Sequence, residues 1–130
     1  MSADKTEKFY HYASAQYNAC NWEKAADAFW AICAQDSSEK LDPKNWFGLA
    51  ASLQQLGEYQ KAIAAWEMAA KIADALKYIN PSIYFHAAEC YLSLGNKSKA
   101  KQALTEARKR SKRDLELIQK IELLFERNDL

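Results

Sequence analysis

The sequence predicts an all-α protein: three helix pairs and a C-terminal capping helix that form a right-handed α-solenoid. Its 130 residues include only three glycines and two prolines, which suits helices joined by short turns. A pattern of large and small residues also occurs three times, at offsets of 37 and 38 residues. Repeats of this length indicate stacked helical units, each of which buries its apolar face against a neighbour.

The repeat is clearest where residues 46–69 are aligned with residues 84–107 without a gap. In both copies a large residue is followed by alanine, a turn glycine, a second alanine and a bulky apolar residue. The alanines let two antiparallel helices approach closely, and aromatic rings fill the spaces between pairs. Gly57 and Gly95 end the first helix of each pair, because glycine adopts a left-handed conformation without steric penalty. The first copy has Cys20 at this position.

The boundaries of the elements follow from prolines and from the apolar pattern. Pro43 and Pro81 open the second and third pairs, as proline does in a first helical turn. The stretches 37–42 and 75–80 supply extra residues between pairs. A final amphipathic segment covers the apolar face that a solenoid leaves on its last repeat. The predicted elements of a single domain, residues 1–130, are helix pairs at approximately 6–36, 43–74 and 81–111 and a capping helix at 112–127.

This arrangement resembles the tetratricopeptide repeat. The resemblance implies a concave groove lined by the first helices, with inward positions at fixed distances before the turn glycine. A large ring, Tyr10, Phe47 or Phe85, occupies the most inward position of each pair. Exposed rings on a groove wall favour peptide binding, because contiguous exposed apolar surface usually marks an interaction site. The predicted groove residues are Tyr10, Ser14, Tyr17, Phe47, Ala51, Gln54, Phe85, Glu89 and Leu92.

Alternatives stay open for individual groove residues. Any one of the three rings could pack instead against the N-terminal segment or the capping helix. Gln54 and Glu89 are placed to hydrogen-bond the backbone of a bound client, and Glu89 could instead pair with a client lysine.

A narrower resemblance is carried by residues 9–25, 47–63 and 80–95. These stretches are similar to the repeats of class II chaperones of bacterial type III secretion, the low-calcium-response (LcrH/SycD) family. The similarity extends over roughly residues 9–110. It implies a non-enzymatic chaperone of the bacterial cytoplasm. Such a chaperone binds an extended apolar segment of a secreted translocator, or of a related effector, and keeps it soluble and export-competent.

The same resemblance implies which residues bind the client. Tyr10, Tyr17, Phe47 and Phe85 fall on positions that match the hydrophobic pockets of the family. The resemblance also raises a homodimer as a partner, because family members usually carry an additional N-terminal helix that takes part in dimerisation. About eight residues precede the first repeat here, which argues against that mode of dimerisation.

Charge and hydropathy do not favour nucleic acid or membranes as partners. Lysine and arginine number 18 against 17 for aspartate and glutamate, so no strong overall field attracts phosphates. The basic stretch 97–113 interleaves with small apolar residues at helical spacing, which is typical of a solvated outer face. The longest apolar run, 28–34, is far too short to span a bilayer. The alternatives are a generic tetratricopeptide-repeat adaptor and a nucleic-acid-binding protein that uses residues 97–113.

His86, Glu89 and Cys90 are the residues that most suggest a metal or catalytic site. Zinc needs three or four ligands within tetrahedral reach, but the remaining histidine and cysteines lie in other repeats. We therefore predict no enzyme, no metal and no cofactor. We place His86 and Cys90, which are four residues apart, on the packing side of their helix.

Overall fold

A computed structural model describes residues 2–35 and 42–130 of the chain. Over these ranges the chain forms helices and no β-strand, in agreement with the predicted all-α solenoid of helix pairs. Most of the predicted spacer 37–42, and the end of the first predicted pair at residue 36, lie outside the described residues. The helices are α1 Ala3–Asn18, α2 Trp22–Cys33, α3 Pro43–Gln55, α4 Tyr59–Ala75, α5 Pro81–Ser93, α6 Lys97–Arg110 and α7 Leu115–Arg127.

Side-chain caps determine where several helices begin. α1 starts three residues before the predicted boundary at residue 6, because the Ser2 hydroxyl accepts a hydrogen bond from the Lys5 backbone N–H at 3.2 Å. Asp42 and Asn80 cap α3 and α5 in the same way, directly before the prolines that open these helices. Asp114 caps α7, which therefore begins later than the predicted residue 112.

The helices stack in sequence order. α1 packs on α2, α3 on α4 and α5 on α6, while α2 and α4 also pack on the first helix of the following pair. Close packing is possible because a small side chain stands at each crossing. The six alanines of the repeat pattern are fully buried: Ala13, Ala25, Ala50, Ala62, Ala88 and Ala100.

None of the described helices has the length and apolar character needed to cross a bilayer.

The first helices of all three pairs end in the same turn. At the first turn, the Cys20 N–H donates to the Tyr17 carbonyl at 3.0 Å and the following N–H donates to the carbonyl of Gln16 at 2.9 Å. These two hydrogen bonds together form the Schellman motif, in which the residue that follows the helix takes a left-handed conformation. Gly57 and Gly95 have φ of 77° and 75°, and Cys20 has φ of 64°. Cys20 therefore takes the backbone conformation that the other two repeats give to glycine.

Replacing Cys20 with glycine is expected to raise the free energy of unfolding by about 0.5 to 1 kcal/mol. A left-handed residue with a Cβ costs about 1 to 2 kcal/mol, and glycine removes this cost. Part of that stabilisation is lost because glycine is more flexible in the unfolded chain. Urea denaturation followed by far-UV circular dichroism measures the change. The matched control is Gly57→Ala, where an added Cβ meets no atom within 4 Å, so that strain alone should lower stability. A less stable Cys20→Gly protein would contradict the assignment.

α7 closes the solenoid. Leu117 and Ile121 are buried against the third pair. At the edge of this contact, the Arg108 guanidinium donates two hydrogen bonds to Glu122, at 2.8 and 3.1 Å, and its central carbon lies 3.9 Å from the ring centroid of Phe125. α7 therefore acts as the predicted capping helix.

Candidate functional site

The most inward rings of the first two pairs form the same contact with their second helices. The Tyr10 ring meets the Phe29 ring edge to face, with 5.9 Å between centroids. One repeat later, the Phe47 ring meets the Trp66 ring edge to face at 4.8 Å. Tyr10 and Phe47 are partly buried and pack against the core, whereas Phe29 and Trp66 belong to it. Tyr10 and Phe47 are called the open rings because both are partly exposed. Each open ring thus packs against a buried ring from the second helix of its own pair.

The equivalent ring of the third pair has a different environment. Phe85 is only 7 % exposed, since Leu104 of α6 and residues Leu117 and Ile121 of α7 belong to the same buried cluster. The prediction that Phe85 is an exposed ring on the groove wall is therefore wrong. The capping helix covers it, which is the alternative considered for any one of the three rings.

An apolar cleft of about 470 Å³ opens beside Tyr10 and Phe47. Gly48 in its wall makes room for the Phe29 ring, because a Cβ at this position would lie 2.4 Å from that ring. The absence of this carbon explains a glycine inside α3, where glycine otherwise weakens a helix. The cleft is also lined by Asp42, Pro43, Lys44, Leu76, Tyr78, Asn80 and Ile83.

The side chain of Lys44, which is paired with two carboxylates, lies at one side of this cleft. The Lys44 ammonium lies 4.2 Å from the centroid of the Tyr10 ring. It also lies 3.4 Å from a carboxylate oxygen of Glu7 and 3.9 Å from one of Asp42. The charge of Lys44 is thus balanced, and its side chain helps to hold the Tyr10 ring in place.

A chain of hydrogen bonds links α4, α3 and α5 beside Phe47. Trp66 Nε1 donates to Gln54 Oε1 at 3.1 Å, and Gln54 Nε2 donates to Glu89 Oε1 at 3.2 Å. His86 Nδ1 lies 2.8 Å from the same Glu89 oxygen, and its ring stacks on Trp66 at 5.2 Å between centroids. Gln54 and Glu89, both predicted to contact a client backbone, are therefore bonded to one another.

The sequence predicts both His86 and Cys90 on the packing side of α5. The structure confirms this for Cys90 and contradicts it for His86. Cys90 is fully buried between helices, as expected for the packing side. The His86 side chain, in contrast, is 35 % exposed and belongs to the groove network. Residues four apart differ by about 40° around a helix axis, which is enough to place one in the core and the other at its edge.

The remaining predicted groove residues, Ser14, Tyr17, Ala51 and Leu92, are all partly buried on the first helices. The Tyr17 ring meets the Trp22 ring edge to face at 4.9 Å. The role of these four residues in client binding stays a prediction.

Phe29, Trp66 and Lys44 were not predicted as parts of the site. Phe29 and Trp66 occupy the bulky position of the repeat pattern, so their packing was predictable but their contact with the groove rings was not. In the two described ranges, no three histidine, cysteine or acidic side chains are grouped closely enough to hold a metal ion.

One thiol of the three is expected to react in the folded protein. Burial raises the pKa of the Cys33 and Cys90 thiols to about 12, so both remain protonated at pH 8. Cys20 is exposed, and only the thiolate is a nucleophile. Titration with Ellman's reagent should give one thiol per folded chain and three after denaturation. Rapid reaction of more than one thiol before unfolding would contradict the packing of these helices.

Stacked helix pairs with buried alanines at the crossings define a tetratricopeptide-repeat protein. Residues 43–75 and 81–113 each match a family model described as a tetratricopeptide repeat.

Three relatives narrow this class. Low calcium response locus protein H of Yersinia pestis is 35 % identical over 104 residues, which make up 80 % of this chain and 58 % of that protein. SycD of Yersinia enterocolitica, solved with a peptide of the translocator YopD, has a TM-score of 0.86 at 30 % identity, over 96 % of this chain and 92 % of that one. PcrH of Pseudomonas aeruginosa, solved with the chaperone binding region of PopD, has a TM-score of 0.85 at 30 % identity. The match covers 97 % of this chain and 92 % of that one.

The chain belongs to the family of type III secretion translocator chaperones that includes SycD and PcrH, as its sequence predicts. It spans 58 % of the length of the curated relatives that it matches.

Proposed function

We propose that the protein is a cytoplasmic, non-enzymatic type III secretion chaperone. It binds an extended apolar segment of a secreted translocator, or of a related effector, in the cleft beside Tyr10 and Phe47. Binding keeps the client soluble and export-competent. The observation that carries this proposal is the apolar cleft bordered by the Tyr10 and Phe47 rings, each of which packs against a buried ring.

The lining of the cleft suits the apolar side chains of a client. Tyr10, Phe47, Leu76 and Ile83 border a space of about 470 Å³. Side chains of an extended client can enter it one at a time. Two solved relatives support the binding of a client segment, since one contains a peptide of the translocator YopD and the other the chaperone binding region of PopD.

The pairing of basic residues weakens the nucleic-acid alternative. Arg108 is bound to Glu122, and Arg110 is bound to Glu106 and lies 3.4 Å from Asp74. Phosphate binding at these positions would first require breaking such pairs, so the stretch 97–113 offers fewer free cations than its composition suggests.

Co-expression tests the proposed function. The full chain is expressed with each membrane-active secreted protein encoded beside its gene, and the soluble fraction is recovered through a tag on the chain. The client should be soluble and retained only when the chain is present. An unrelated helical-repeat protein is the control for general effects on solubility. Clients that are equally soluble with and without the chain, and that do not bind it, would overturn the proposal.

Homodimer formation stays a prediction. Light scattering coupled to size-exclusion chromatography of the full chain tests it, by separating the mass of one chain from that of two.

A further inference from the structure

Glu89 is the acidic side chain among the predicted groove residues. It lies on α5, and its side chain is 37 % exposed, so solvent or a client can reach the carboxylate. The rings proposed to bind the client, Tyr10 and Phe47, are uncharged. A carboxylate in this position is costly next to an apolar segment unless a hydrogen-bond donor meets it.

The carboxylate is held by one of its two oxygens. Gln54 Nε2 and His86 Nδ1 both contact Oε1, at 3.2 and 2.8 Å. Within residues 2–35 and 42–130, Oε2 has no hydrogen bond. One oxygen therefore fixes the side chain, and the other is available to accept a hydrogen bond from a ligand.

The anchor of this arrangement lies in the core. Trp66 is 1 % exposed and donates to Gln54, which in turn donates to Glu89. Because Trp66, at one end of this series of hydrogen bonds, is buried, the Gln54 and Glu89 side chains have little freedom to reorient. A ligand that binds Oε2 does not have to order this side chain, which lowers the entropic cost of binding.

Glu89 does not line the cleft, but His86 links it to Phe47, which does. The His86 ring is 6.2 Å from the Phe47 ring, centroid to centroid, and its nitrogen contacts Glu89. An extended client that places an apolar side chain on Phe47 therefore brings a neighbouring residue to Glu89. Lysine and arginine suit this position best, because charge-assisted hydrogen bonds to a carboxylate are about twice as strong as neutral ones.

We propose that Glu89 makes the groove selective for apolar segments that carry a lysine or arginine next to the residue bound by Phe47. This inference rests on the proposed function, because it concerns the client of the same groove. Glu89 is then a specificity-determining residue, while Tyr10 and Phe47 supply apolar contact.

A positional-scanning library of fluorescent octapeptides tests the proposal on the full chain. Three proteins are compared: wild type, Glu89→Gln and Glu116→Gln. The Glu89→Gln change keeps the shape of the side chain and an oxygen that accepts from Gln54. Glu116→Gln removes the same charge from α7, where the side chain is 81 % exposed.

All three proteins should enrich peptides with large apolar residues. Wild type and Glu116→Gln should also prefer lysine or arginine over glutamine at one position by about tenfold, which is 1.4 kcal/mol. Glu89→Gln should lose this basic preference and keep the apolar one. Circular dichroism establishes that the variant is folded, and the lysine–glutamine comparison on wild type needs no variant.

Other outcomes separate the two proposals. Apolar enrichment without a basic preference in wild type, or a basic preference that persists in Glu89→Gln, would overturn the role of Glu89 and leave the groove intact. If wild type showed no apolar enrichment, the proposed function and the inference that rests on it would both fail.

Discussion

Replacing Tyr10 and Phe47 together with alanine is expected to weaken client binding by about 100-fold or more. Both rings border the apolar cleft, and both rest on buried rings that fix their positions. Burying one large apolar side chain contributes about 1.5 to 3 kcal/mol, and each 1.4 kcal/mol is a factor of ten in affinity. Fluorescence anisotropy with a labelled peptide from a co-purified client measures the loss.

A ring on another face of the solenoid gives the matched control. Trp30 is 54 % exposed and lines a separate cleft with Trp46 and Met68. The Trp30→Ala protein should bind the peptide as wild type does. Equal binding by wild type and by the Tyr10→Ala, Phe47→Ala protein, with both proteins folded by circular dichroism, would place the client elsewhere.

Replacing Phe85 with alanine is expected to lower the free energy of unfolding by about 3 to 5 kcal/mol, the usual cost of removing a buried phenylalanine ring. The ring belongs to one buried cluster with Leu104, Leu117 and Ile121, so its loss should leave a cavity between the third pair and α7. A domain of this size is stable by about 5 to 15 kcal/mol, so the change removes a large part of the total. Urea denaturation measured by circular dichroism and by tryptophan fluorescence gives the difference.

Phe85→Leu is the control for this substitution. Leucine fills most of the cavity and should cost about 1.5 kcal/mol or less. A loss below about 1 kcal/mol for Phe85→Ala would mean that the ring is not enclosed by α7, and Phe85 would again be a candidate for client binding.

The internal repeat made the fold predictable. Ala13, Ala50 and Ala88 recur at one repeat position, and each is fully buried at a helix crossing. Pro43 and Pro81 each stand at the first position of a helix, as their conformational restriction requires. These features depend on local spacing, which a single sequence displays directly.

The predicted site was less complete, because its details depend on contacts between repeats. Phe85 has the same repeat position as Tyr10 and Phe47, but α7 follows its repeat and covers it. His86 is four residues from a buried cysteine, yet its ring lies on Trp66 from the preceding pair. Repeat periodicity assigns a residue to a face of its own helix, and it does not indicate which neighbouring helix completes its environment.

Under the proposed function, the position of α7 also limits how many rings a client can contact. Open rings occur at the first and second pairs, and the third ring is already covered. If the client binds as proposed, a segment that extends beyond the second pair meets no third ring equivalent to Tyr10 and Phe47. Truncating such a client from its outer end should therefore leave its affinity unchanged until the residues next to Phe47 are removed. Under the proposed function, the capping helix would limit the ring-lined part of the groove to the first two pairs, whatever the length of the client.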